Sequence, residues 1–382
     1  MTNNNHRDLF LQYTIKVILT ICLLILYVAE ATAAFTTIAV DSSKYEAWPH
    51  ITKDSKGRLY VVYRTSDSNT HSFDPTGRIV LRKSIDGGET WGEEIIVADE
   101  IGVDDRNPSI MIFNENGNER ILIAYNTNDG RLSLPYVITS VIPGLQWRTR
   151  IRLSNSEGRT RGRPILLSNG KILVPWYSWP EHHNCFVSES SVGDTTWTTY
   201  PVQDGIGDEL SLIEVKTNGK YEGRIYGLIR DQYISPNSFQ KVISTDYGRT
   251  WGEIEEEIQL PTSQGGPCDL VRLSNRHILA IYHSPGDEVL IYESLDECDT
   301  WVRITNIARG RGYPSVVEIS STHHLVVSCT NTSASDVFGH FYDYPGGPSL
   351  PVTPWVLLLF CSVIVVIFWL LFVIFRARRP LW

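Results

Sequence analysis

The octet Ser84-Ile85-Asp86-Gly87-Gly88-Glu89-Thr90-Trp91 decides the fold, because it returns as Ser244-Thr245-Asp246-Tyr247-Gly248-Arg249-Thr250-Trp251 and again as Ser294-Leu295-Asp296-Glu297-Cys298-Asp299-Thr300-Trp301. Two weaker copies lie between them. Residues 140–147 keep the Ser, Gly and Trp, and residues 190–197 keep Ser, Thr and Trp. The tryptophans Trp91, Trp147, Trp197, Trp251 and Trp301 stand 50 to 56 residues apart. A fixed period of that length is the mark of a repeat array. An Asp and a Ser around a Gly turn bond their own backbone, while the Trp packs into the unit. Five inequivalent copies cannot form one catalytic centre. Ser84, Asp86, Gly88, Trp91, Ser244, Asp246, Gly248, Trp251, Ser294, Asp296 and Trp301 are therefore read as structural.

A second series has the same period. Apolar strand, turn and apolar strand follow Pro49, Pro108, Pro164, Glu209, Cys268 and Pro314, with Gly, Asn, Ser or Asp at each turn, which is the hairpin signature. A third strand enters each octet and a fourth leaves it. Four strands per repeat around a centre is a propeller blade. The last unit lacks an octet, and residues 36–40 resemble a lone outer strand that completes it. The sequence thus predicts an all-β, six-bladed β-propeller of four-stranded antiparallel blades, closed by its N-terminal strand.

Composition agrees with strands and narrows the partners. The chain has 382 residues with 18 Tyr and 11 Trp but 2 Met, and aromatic side chains suit a pleated surface. A formal charge of −9 argues against nucleic acid, whose binding depends on Lys and Arg. Residues 356–375 carry no charge and are followed by Arg376-Ala377-Arg378-Arg379. At about 1.5 Å per residue such a helix spans the ~30 Å hydrocarbon core, its basic flank cytoplasmic. Residues 17–29 are apolar between Lys16 and Glu30, the pattern of a signal-peptide core or of an uncleaved signal anchor. The expected organisation is a signal segment over 1–34, a propeller over 35–345, a linker over 346–355, a transmembrane helix over 356–375 and a basic tail over 376–382. The propeller then lies outside the cell or in a lumen, single-pass or two-pass, with the lipid bilayer as a partner. Cys185, Cys268, Cys298 and Cys329 could pair in three ways there, and Asn331-Thr332-Ser333 is a glycosylation sequon.

In a propeller, residues just before each innermost strand stand at the mouth of the central funnel. Those positions hold Trp48, Asp105-Arg106-Asn107, Arg161 and Arg163, Asp208-Glu209, Cys268-Asp269, and Arg311 with Tyr313. Arg230 ends the second strand of the fourth unit, and His71 and Asp74 lie in the first unit's long loop. Several arginines, paired carboxylates and a Tyr suit an anionic, polar ligand, a glycan above all. No His, Cys or carboxylate spacing matches a metal site.

The octets look like the Asp-box (BNR) repeats of the sialidase, or neuraminidase, superfamily, and the resemblance covers residues 36–343 in order. Asp208-Glu209 with Leu228-Ile229-Arg230, and Tyr313-Pro314-Ser315, stand where that superfamily places its paired Glu, a clamp Arg and its nucleophilic Tyr. Asp74 lies near the place of its acid. The resemblance implies a retaining exo-glycosidase without metal or cofactor: Tyr313 as nucleophile, Glu209 as its base, Asp74 as acid, and Arg230 as substrate clamp. A neutral Tyr nucleophile avoids facing a carboxylate to the sialoside's own carboxylate, a repulsion of about 4 kcal/mol at ~4 Å and a dielectric of 20. The sequence departs from the pattern at Glu46-Ala47-Trp48-Pro49, where the superfamily has a clamp Arg, and over residues 286–293, which contain none. Arg106, Arg163 and Arg311 are the candidates to rebuild the clamp, with His71 and Asp105 beside them. Three readings stand at this point: a membrane-tethered hydrolase of a terminal acidic sugar, an inactive glycan-binding propeller, and an interaction scaffold.

Overall fold

The computed structural model describes residues 35–343 except 69, 180–182, 206, 231–237, 262–265, 285–287, 308–311 and 331–334. The signal, linker and membrane segments expected from the sequence, together with Arg311 and Asn331, lie outside the described residues. Among the described residues no helix is long and apolar enough to cross a membrane.

Six antiparallel sheets follow one another along the chain. The first is formed by Ala47–Lys53, Leu59–Thr65, Arg78–Ser84 and Ile95–Ala98. The last joins Gly312–Ser320, His323–Cys329 and Val337–Asp343 to the N-terminal strand Phe35–Ala39 on its outer edge. That strand closes the ring, as its isolated position in the sequence predicts. Six clusters of buried apolar side chains account for the core, and each fills the seam between two neighbouring blades. The five octet tryptophans distribute among five of these seams, one to each. The repeat is therefore an instruction for packing one blade against the next.

The octet turns repeat their bonds as well as their letters. Ser84 Oγ donates to Asp86 Oδ1 at 2.7 Å and accepts from Gly88 N at 2.8 Å, and Asp86 Oδ1 accepts from Thr90 N at 3.0 Å. The turn at Ser244–Asp246 and the turn at Ser294–Asp296 make the same three bonds. Gly88 has φ +98°, and a Cβ there would come within 2.6 Å of Leu325.

Blade three departs from the four-strand expectation. Its innermost strand breaks into Arg159–Thr160 and Ile165–Leu166, both paired to Lys171–Tyr177. The interruption is Arg161-Gly162-Arg163-Pro164. Both arginines turn into the axis, Gly162 lies where a Cβ would clash with the Leu210 carbonyl, and Pro164 has no N–H to give the ladder.

Candidate active site

The innermost strands of blades one, two and six start with the same device. Trp48, Asn107 and Tyr313 each precede a proline, each has positive φ (57°, 51° and 54°), and each sits where the strand register slips. A bulge re-aims a side chain, and an aromatic residue in the left-handed region stores strain of the kind found at functional sites. Trp48 packs against Tyr313 and His71, with ring centroids at 6.1 and 5.2 Å.

Glu209 and Arg230 meet at the mouth from blade four. Arg230 N donates to the Glu209 carbonyl at 3.0 Å, and Arg230 Nη1 lies 3.1 and 3.0 Å from the two Glu209 carboxylate oxygens. Tyr313 joins them electrostatically. Burial pushes its phenol up, the Glu209 charge adds to this, and the Arg230 charge opposes it. No hydrogen bond joins Tyr313 to Glu209 among the described residues. The guanidinium of Arg161 lies 5.1 Å over the Tyr313 ring.

His283 completes this group, and the sequence reading passed over it. It ends the second strand of blade five, as Arg230 follows the second strand of blade four, and that equivalence was the available signal. Its ring lies 6.1 Å from the Tyr313 ring. Its Nδ1 is buried without a partner, and a Cβ on Gly266 would come within 2.2 Å of that atom. Burial, then Arg230 and Arg161, push the imidazole down to about 4, so it is neutral at pH 7.

The other arginines divide into pins and one exception. Arg161 donates to the carbonyls of Trp48, Pro108, Pro49 and Tyr313 at 3.1–3.3 Å, tying blades one, two and six to blade three. Arg163 holds Asp269 through two bonds, at 2.9 and 2.6 Å, and reaches the carbonyls of Ile51 and Val316. It is an axial pin rather than a free clamp. Arg106 pairs with Asp104 at 2.8 Å, donates to the His71 carbonyl at 2.7 Å and lies 4.5 Å over the Trp48 ring. Arg64 is fully buried and holds the same Asp104. The exception is Arg159, which the sequence reading did not name: it lies over the Trp179 ring at 5.2 Å and pairs with no carboxylate among the described residues.

The first-blade loop binds its candidate residues into local bonds. Asp74 accepts from Ser68 Oγ and from Thr76 N and Oγ1, the Thr76 bonds at 2.9 and 2.7 Å. Burial opposes ionisation, but these bonds outweigh it and hold the carboxyl at about 2. In this geometry the carboxyl is ionised and bonded into its turn. His71 Nδ1 shares a bond with Tyr45 Oη at 2.8 Å, which sets the ring at the mouth beside Trp48. Asp105 is buried away from its neighbour Arg106, beside Tyr125 and Arg150; desolvation pushes it up to about 7, and its Oδ1 has no partner. Trp48 is 1% exposed, its indole N–H without a partner. The four cysteines of the propeller are buried, with Cys185, Cys268 and Cys329 directing Sγ to backbone carbonyls. Among the described residues no cluster of His, Cys, Asp or Glu is placed to hold a metal ion.

Comparison with known proteins places this architecture. Residues 133–325 match the BNR repeat-like domain family. No curated protein matches the chain in sequence. Among solved structures, a protein of unknown function from Dyadobacter fermentans superposes with a TM-score of 0.69 at 20% identity, covering 81% of this chain and 98% of its own. The intramolecular trans-sialidase of Ruminococcus gnavus, solved with oseltamivir carboxylate, gives 0.64 at 13% identity, covering 81% and 96%. An α-L-arabinofuranosidase from Fusarium graminearum gives 0.60 at 12% identity, covering 81% and 97%. At these identities the likeness is one of fold.

Proposed function

The chain belongs to the BNR repeat-like domain family, as a divergent member of the sialidase superfamily, and from that premise we propose that it is a retaining exo-glycosidase that removes a terminal acidic sugar from glycoconjugates. The observation that carries this reading is the convergence of Glu209, Arg230 and Tyr313 on one funnel mouth, coupled through their charges. In the proposed reaction the Tyr313 oxygen attacks the anomeric carbon as Glu209 takes its proton. The glycosyl–tyrosine bond forms while the bond to the leaving oxygen breaks, that oxygen taking a proton from solvent water at the open mouth. A second water then attacks the anomeric carbon and gives its proton to the solvent hydroxide so formed, while Glu209 returns its own proton to the Tyr313 oxygen, restoring the phenol by the reverse exchange. Arg230 holds the Glu209 carboxylate in place, so the Glu must exchange that partner for the phenol as the substrate enters. Apo geometry of this kind tightens only in the complex. Asp74, ionised and committed to its turn, is not assigned the acid's part, and His71 at the exposed edge of the mouth contacts the leaving group.

The same proposal includes the topology. A helix over 356–375 tethers the propeller to the bilayer, and the signal segment over 1–34 delivers residues 35–345 to the lumenal or extracellular side, where glycans are. A glycan-binding module without turnover is the second reading, favoured by Trp48, whose buried ring stands where a clamp Arg is missing. Release of the fluorophore from acidic-sugar glycosides, by the full-length chain and its Tyr313→Phe variant, separates the two. Saturable binding of a glycan with equal, background release from both chains would favour the binding module.

A further inference from the structure

Among the described residues, every arginine at the mouth or axis but Arg159 is already paired within the fold. Arg64 and Arg106 share Asp104, Arg161 holds four carbonyls, Arg163 holds Asp269, and Arg230 holds Glu209. A guanidinium engaged by buried partners has less left to give a ligand; Arg230 is the least committed of these, bonding Glu209 through Nη1 with its buried Nε unpartnered. Breaking such a pair also leaves an uncompensated charge. Arg159 alone of these makes neither an ion pair nor a side-chain hydrogen bond among the described residues, its side-chain contact being the Trp179 ring.

Its placement makes it available. Arg159 opens the first segment of blade three's inner strand and lies opposite Tyr177 in the register. Half-buried, it rests on the half-buried Trp179 ring, at 5.2 Å. A guanidinium stacked by its face keeps its N–H edge free, in the planar fork that matches a carboxylate or a sulfate. It acts on the groups of the mouth: its charge is felt by Arg106 on one side and, on the other, by Tyr177, which also feels Glu209, Asp208 and Tyr313.

We propose that Arg159, seated on Trp179, holds the anionic group of the ligand, so that charge selectivity resides in blade three and Arg230 serves to position Glu209. This rests on the acidic-sugar reading above and names the residue that reads the acid. The chemistry fits a carboxylate on the anomeric carbon, a uronate carboxylate or a sugar sulfate, and paired probes distinguish them.

The test uses the full-length chain in detergent and ligand-observed NMR affinities. The probes are the methyl α-glycoside of N-acetylneuraminic acid and its methyl ester, methyl glucuronide and its methyl ester, and galactose 6-sulfate beside galactose. Each pair differs in charge at one group. The wild type should prefer one charged member by tenfold or more, and Arg159→Met should erase that preference while leaving the affinity for its neutral partner unchanged. Arg159→Gln serves as the second variant if the first loses its thermal transition. Preference retained in the Arg159 variants, and lost instead in Arg230→Met, would overturn the assignment to Arg159 and leave the acidic-sugar reading standing. No charge preference in the wild type would overturn both.

Discussion

The Asp-box turns and the funnel mouth are built from the same polar residue types and use them in opposite ways. The turns are redundant: Ser84, Ser244 and Ser294 each receive the same backbone N–H, and Asp86, Asp246 and Asp296 each hold the same Thr. At the mouth the blades present different residues at or near the starts of their inner strands, Trp48, Arg106, Arg159, Glu209 and Tyr313 among them. What a repeat protein copies is what its seams need, and what it varies near its strand starts is free to do chemistry. Blade three compresses the contrast into five residues, since Arg161 is a pin and Arg159 is not.

Replacing parts of each class should break the molecule differently. Glu209→Gln should lower turnover of an acidic-sugar glycoside by about 10²–10⁴-fold, with the thermal transition retained; steady-state rates beside a melting curve check both. Arg161→Met strands buried carbonyls in three blades and should cost about 3–5 kcal/mol, read as a loss of thermal stability that the Arg159 variants do not share. Two buried carboxyls give the fold a pH dependence. Glu46 and Asp105, each pushed up to about 7, by burial first, favour the folded state when protonated. Their contribution is full below the ordinary carboxylate range and is lost as the pH rises through 7. Buried His50 and His283, pushed down by burial, act in the opposite sense, so the carboxyl contribution is read by difference: Asp105→Asn should gain melting temperature relative to the wild type as the pH rises from 5 to 8. Asp246→Ala in one Asp box should cost about 1–2 kcal/mol and leave ligand affinity alone. The smallest effect belongs to Asp74→Asn, which should leave the acidic and basic limbs of the activity profile in place; loss of the basic limb would return the acid's role to Asp74.

The period of the octets, their tryptophans and the lone N-terminal strand were enough to read a closed six-bladed ring, because each is a local pattern with one packing solution. The same reading singles out Glu209, Arg230 and Tyr313, which stand at strand starts and ends where register fixes their height. It failed where height along the axis decides. Arg159, Arg161 and Arg163 alternate in the sequence, and an unbroken strand would put all three on one face; the break after Thr160 is what separates them. Arg163 reaches Ile51 and Val316, Arg161 reaches the shallower Trp48 and Tyr313, and Arg159 stays at the mouth. Asp74 is legible in the sequence both as an Asp-Pro turn residue and as an acid, and its bonds to Ser68 and Thr76 favour the turn.

The most direct test of the central claim is release of a fluorophore from an α-linked sialoside by the full-length chain, beside its Tyr313→Phe variant. The account predicts turnover by the wild type and a fall to background in the variant, which loses a single hydroxyl. Equal turnover in both chains would contradict the assignment of Tyr313 as the nucleophile.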